Sequence, residues 1–188
     1  RILNEIYNLV IGKTYSASNL GYYTRSKQIA EVSAGTVNSI MQQVTYPILA
    51  SLQNDKEQLV SVFNRLIKMT AFFIFPAMTL LALLADPFIR FFLTNKWEPA
   101  IILVEWLCFA RIFTPISSIN MNILNAVGRS DLFLKVDLSK APLIIIVLVI
   151  TIPMGLKAIV IGNVITSTIA FLINTYMPGK LFGYGAIK

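Results

Sequence analysis

Long apolar runs, separated by short polar breaks, set the organisation of this chain. Apolar segments occupy residues 1–12, 24–52, 69–93, 99–127, 132–152 and 156–177. Between them lie short stretches rich in Gly, Asn, Ser, Lys and Asp, at 13–19, 53–55, 94–98, 128–131 and 155–157. A bilayer-crossing helix needs about 20 mostly apolar residues, and most of the runs reach that length. Residues 1–12 read as the end of a span whose beginning is missing. Residues 55–68 differ in kind. Leu59, Val62, Phe63, Leu66 and Ile67 form a stripe at helical spacing, with Gln58, Ser61, Arg65 and Lys68 elsewhere on the surface. This predicts an amphipathic segment on the bilayer surface, with Asn54 as its cap and Glu57 three residues later. The predicted fold is all-α: a polytopic transmembrane bundle of about six helices.

Several spans carry a polar face beside an apolar one. On a helical wheel Arg111, Pro115, Ser118, Asn122 and Asn125 fall together, next to a sector of isoleucines. An arginine in lipid costs several kcal/mol or more, so this stripe is expected to face protein or a hydrated cavity. The alternative is an interfacial arginine, or one paired with an acid such as Glu105. Over 24–52, Gln28, Glu31, Gly35, Ser39, Gln42 and Tyr46 share a face. Glu31 follows Lys27 by four residues, which predicts a local ion pair, and a proton- or cation-coupling role for Glu31 is the alternative. Gly35 with Ser39 also fits close helix approach. The last span aligns Asn163, Thr166, Ser167, Ala170 and Asn174. Lys135, Asp137 and Lys140 read as interfacial charges, Tyr22, Tyr23 and Trp97 as an interfacial belt, and Asp86 with Arg90 as an i, i+4 pair.

Composition fits this picture. Of 188 residues 56% are hydrophobic and 13% charged, against about 25% charged in soluble domains; mean hydropathy is +0.70. The net charge of +7 is scattered, without a basic cluster, so nucleic acid is not an expected partner. The charge distribution places the turns at 53–55 and 128–131 and the C-terminus on the cytoplasmic side. Histidine is absent and Cys108 is the single cysteine. No internal disulfide, His/Cys metal site or Cys/His dyad can be built, and no cofactor is expected. The chain enters apolar sequence directly after Arg1 and closes on 183–188 after Pro178-Gly179-Lys180, so it reads as a fragment of a longer membrane protein.

Amides and hydroxyls suit sugars, through many neutral hydrogen bonds, and an arginine suits a phosphate, through a charge-assisted contact. The candidate substrate-binding residues are therefore Arg111, Ser118, Asn122, Asn125, Gln42, Ser39 and Asn163.

An ordered series of short motifs adds to this reading: Ile11-Gly12-Lys13, Leu20-Gly21-Tyr22-Tyr23, Tyr46-Pro47, Gln53-Asn54-Asp55, Phe75-Pro76, Asn95-Lys96-Trp97, and Asn125-Ala126-Val127-Gly128-Arg129-Ser130-Asp131. Together these resemble the Wzx-type polysaccharide exporters, lipid-linked oligosaccharide flippases of the MATE-like superfamily. The resemblance implies a two-lobed transporter of which this chain is most of the second lobe. It implies alternating access in the bacterial cytoplasmic membrane, and an undecaprenyl-diphosphate-linked oligosaccharide as substrate. Membrane lipids and the missing N-terminal lobe would be partners, and no covalent chemistry would occur. The competing readings are a multidrug or small-molecule antiporter of the same superfamily, which would favour acidic cavity residues, and a non-transport membrane scaffold. A membrane glycosyltransferase or polymerase would need paired carboxylates and a larger soluble part.

Overall fold

The computed structural model describes residues 2–182; Arg1 and 183–188, which the sequence reading takes as signs of a fragment, lie outside them. Among the described residues the chain forms seven α-helices and no strand. These are α1 (Ile2–Thr14), α2 (Ala17–Ser51), α3 (Lys56–Leu83), α4 (Ala85–Leu93), α5 (Glu98–Ala126), α6 (Ser130–Thr151) and α7 (Leu156–Phe182). Short 3-10 turns at Asn95–Trp97 and Ile152–Met154 join α4 to α5 and α6 to α7. Among the described residues three segments are long and apolar enough to cross a membrane: Glu57–Leu83, Asn95–Ala126 and Leu156–Lys180.

The bundle is built around α5, which touches α2, α3, α4, α6 and α7. Half of its apolar window is buried, against 22% and 28% for the other two spanning helices, so α5 is the axis and the others are its wall. Leu103, Val104, Leu107 and Cys108 of α5 are completely or almost completely buried. They join Tyr7, Ile11, Tyr23, Ala30, Ile74 and Met78 in the main core. Large apolar side chains cover much of the outside, among them Phe72, Phe73, Leu83, Phe91, Phe92, Ile146 and Val149. In water such a surface would drive association; in a bilayer it is the solvated surface.

The helix ends follow local chemistry. Ser16 caps α2 by accepting from the Asn19 amide at 3.3 Å. Asp55, not the expected Asn54, caps α3, accepting from the Gln58 amide at 3.0 Å. Asp55→Ala is expected to cost about 1 kcal/mol, the usual worth of such a cap, read as a lower thermal midpoint in detergent. Gly128 closes α5 at φ 76, a backbone region that favours glycine. The Arg129 amide then reaches back to the Leu124 carbonyl at 2.8 Å.

Several expected boundaries move. The amphipathic segment 55–68 leads into the next span without a break: after the Asp55 cap it is the first half of α3. Its apolar stripe is covered by protein, since Leu59 and Phe63 pack with Leu49, Ile119 and Ile123. The 69–93 segment, in turn, breaks at Leu84, and Pro87 falls in the first turn of α4, where its missing N–H has no helical partner to lose. Pro178 does not end α7, which runs on to Phe182; a proline in a membrane helix is tolerated where neighbours absorb the freed carbonyl. Tyr23 is fully buried in the core instead of lying at an interface. Tyr22 meets Trp97 edge to face, with ring centroids 5.5 Å apart.

Polar contacts tie the bundle together. Ser26 Oγ donates to the Ala100 carbonyl at 3.2 Å between α2 and α5, and Asn120 Nδ2 donates to Thr175 Oγ1 at 3.3 Å between α5 and α7. The Tyr15 hydroxyl bonds the Ile152 carbonyl. Arg90 bonds Asp86 at 2.8 Å and Glu98 at 3.0 Å. The hydrogen bonds that Arg90 donates, to Asp86 first and then to Glu98, hold its guanidinium above its ordinary pKa.

A polar cleft along the central helix

The second half of α5 turns a polar stripe into a cleft of about 460 Å³ between α5, α6, α7 and α2. Thr114, Ser117, Ser118, Asn122 and Asn125 line it from α5, and Gln42 from α2. Four of the seven substrate-binding candidates, Gln42, Ser118, Asn122 and Asn125, are thus brought to one wall. The cause is helical periodicity: Ser118, Asn122 and Asn125 are separated by four and three residues. Ile119 and Ile123, on the adjacent sector, are fully buried.

The other three candidates lie elsewhere. Ser39 is exposed on α2 and outside the cleft lining. Asn163 is buried on α7 with no hydrogen-bond partner for Oδ1 among the described residues. It sits one turn before Ser167, which does line the cleft. Arg111, at the head of the polar stripe, is not among the residues that line the cleft, and its guanidinium points to a carboxylate on α2.

That carboxylate is Glu31. Arg111 Nη2 donates to Glu31 Oε1 at 2.9 Å, across from α5 to α2. The Arg111 side chain is 12% exposed and that of Glu31 41%. The sequence reading pairs Glu31 with Lys27 along its own helix; in the fold the carboxylate reaches a cation 80 residues away. An intramembrane arginine is costly, and Glu31 supplies the opposite charge that offsets it. Glu31 also lines a second cavity of about 370 Å³ with Asn8, Thr24, Lys27 and Gln28. Gly35, expected at a close helix approach, faces open space. The close approach lies instead at Gly162, between α7 and α6.

The cleft includes residues that the sequence reading left out of the candidate set. Ser167 and Asn174 come from α7, and Phe133, Asp137 and Lys140 from α6. The first two carried a signal, the shared face with Asn163. Asp137 and Lys140, read as interfacial because charges near the start of an apolar run suit headgroups, also line the cleft. Lys140 Nζ donates to Asp137 Oδ1 at 2.9 Å, and the lysine side chain is 12% exposed.

The cleft can offer hydrogen bonds that the protein does not use. Asn122 Nδ2 and Asn174 Oδ1 are buried without a partner among the described residues, and a buried amide left unpaired costs about 1–3 kcal/mol. Asn125 Oδ1 accepts from Ser130 Oγ at 3.4 Å, which ties the wall to the α5–α6 turn. At that turn the Arg129 guanidinium, bonded to Asp131 at 3.1 Å, holds the Asp131 carboxyl below its usual range. Among the described residues no cluster of His, Cys, Asp or Glu could hold a metal ion.

The chain is similar in sequence to proteins of bacterial polysaccharide biosynthesis. The lipopolysaccharide biosynthesis protein WzxC of Escherichia coli (strain K12) is 27% identical over 173 residues, covering 92% of this chain and 35% of that protein. The teichuronic acid biosynthesis protein TuaB of Bacillus subtilis (strain 168) is 29% identical over 132 residues, 70% of this chain and 27% of TuaB. A membrane protein of unassigned role from the cps region of Klebsiella pneumoniae is 25% identical over 176 residues, 93% of this chain and 36% of that protein. The chain therefore spans about a third of the length of the curated relatives it matches. No solved structure matches it significantly. The family described as polysaccharide biosynthesis protein matches residues 1–102, more than half of the chain. This chain is a membrane protein of the polysaccharide biosynthesis protein family.

Proposed function

We propose that this chain is one lobe of a transporter that moves undecaprenyl-diphosphate-linked oligosaccharide across the bacterial cytoplasmic membrane by alternating access, without making or breaking covalent bonds. The observation that carries the reading is the cleft on α5, walled by amides and hydroxyls of Gln42, Ser118, Asn122, Asn125 and Asn174. A cavity that must pass a hydrated sugar through a bilayer has to replace its water hydrogen bonds, and neutral donors and acceptors do this without trapping the cargo. The exposed apolar surface beside the bundle is suited to leave a polyprenyl tail in lipid. The relatives' roles in lipopolysaccharide and teichuronic acid biosynthesis support the same substrate class. A second lobe, from outside this chain, would close the other side of the passage. An antiporter of cationic drugs is less well supported, because the carboxylate of Glu31 is engaged by Arg111.

The test uses the full-length protein. Ser118→Ala with Asn122→Leu removes two polar groups from the cleft wall without lengthening either side chain. Each lost hydrogen bond is worth about 0.5–1.5 kcal/mol, so delivery of lipid-linked oligosaccharide to the outer leaflet, per molecule in the membrane, is expected to fall about tenfold. Unchanged delivery at unchanged abundance would remove the cleft from the transport path.

A further inference from the structure

The α6 side of the cleft carries a set of groups with no role in the reading so far. Phe133, Asp137 and Lys140 are spaced i, i+4, i+7, so they stand on one face of α6, and all three line the cleft. Phe133 is seated on Met121, Leu124 and Val136. The other aromatic ring on the wall, Phe113, is already stacked on Phe171 at 4.8 Å. Phe133 thus has a firm apolar seat and a surface turned to the cavity. Asp137 and Lys140 are the charged residues among those that line the cleft, and at 2.9 Å they cancel one another.

We infer that Phe133, Asp137 and Lys140 form the sugar-reading side of the cleft, and that this cleft takes an uncharged, hydroxyl-rich head while the diphosphate lies outside it. The inference rests on the proposed function and assigns which part of the substrate this site meets. A pyranose ring has an apolar C–H face and a rim of hydroxyls. An aromatic ring flanked by fixed donors and acceptors complements both. Lys140 donates, and the more exposed Asp137, at 59%, accepts. A hydroxyl can insert beside such a pair and bond both members. A phosphate would instead have to compete with Asp137 for the ammonium and be repelled by the carboxylate. The lining has no net formal charge to repay the desolvation of a diphosphate.

The experiment measures binding to the full-length protein in detergent with two probes, a polyprenyl diphosphate bearing a neutral disaccharide and the same polyprenyl diphosphate without sugar. Asp137→Asn combined with Lys140→Gln is expected to weaken the sugar-bearing probe about tenfold and leave the sugar-free probe unchanged. Phe133→Leu, which keeps an apolar side chain on its seat, is expected to weaken the sugar-bearing probe several-fold with the same selectivity. Equal loss for both probes, or loss for neither, overturns the assignment. If the double variant does not accumulate, Phe133→Leu decides alone: an unchanged preference for the sugar-bearing probe overturns the assignment. Failure of the proposed function would appear in the parent, as equal affinity for the two probes, and would remove the assignment with it. Failure of the assignment alone would appear only in the variants.

Discussion

Glu31→Ala is expected to destabilise the bundle by about 2–4 kcal/mol, somewhat below the 3–5 kcal/mol typical of breaking a fully buried ion pair, because one partner is part-exposed. The variant leaves the Arg111 guanidinium, 12% exposed, inside a membrane-spanning helix without its carboxylate. Arg111 Nε already has no hydrogen-bond partner among the described residues, so little remains to compensate. Replacing both residues together, Glu31→Leu with Arg111→Met, removes both charges and should restore most of the loss. Thermal unfolding of the full-length protein in detergent checks this. An unaltered midpoint for Glu31→Ala would mean that the ion pair contributes nothing. The double variant also settles the role of Arg111. If it is stable and still delivers lipid-linked oligosaccharide, Arg111 ties α5 to α2 and does not contact cargo. If it is stable and delivery is lost, the pair belongs to the transport cycle.

Gly162→Leu is expected to cost about 2–3 kcal/mol, at the upper end of overpacking penalties. A Cβ at Gly162 would lie 2.9 Å from Val147 Cγ1 and 2.9 Å from Thr151 Cγ2. Both neighbours are β-branched and have few rotamers to escape into. Thr151 is further held by its hydroxyl, which donates to the Val147 carbonyl at 2.8 Å. The two helices must therefore separate, and both form walls of the cleft. Gly35→Leu is the matched control: its Cβ meets nothing within 4 Å, and replacing a mid-helix glycine should gain a few tenths of a kcal/mol or more in helix propensity. Thermal midpoints moving down for Gly162→Leu and level or up for Gly35→Leu are the expected pattern. Equal midpoints for the two variants would show that α6 and α7 can part without loss.

The legibility of the site differs from residue to residue. Ser118, Asn122 and Asn125 lie on one helix, so their common direction follows from 3.6 residues per turn alone. The same rule puts Gln42 and Ser39 on one face of α2, but only Gln42 lines the cleft, because which edge of α2 meets α5 depends on packing. Asp137 and Lys140 were not legible as cleft residues, because a charge at the start of an apolar run has two homes, the headgroups or a cavity, and the chain pattern is the same for both. The partner of Arg111 was out of reach for a similar reason. Glu105 was the acid near Arg111 in sequence, and Lys27 the cation near Glu31, whereas Arg111 and Glu31 met only when α2 was laid along α5.

Helical class, membrane setting and amphipathic faces follow from the order of residues alone, because apolar run length and helical periodicity are local properties of the chain. That order also located the turn at Gly128, where φ 76 favours glycine. The tertiary structure decided which faces meet. It joined the 55–68 stripe to α3 by burying Leu59 and Phe63, and it drew the close contact of α6 and α7 to Gly162. It also closed Arg111 on Glu31 and opened a cleft beside Asn122. These outcomes depend on side chains far apart in sequence, whose shapes and charges are matched only after the helices pack.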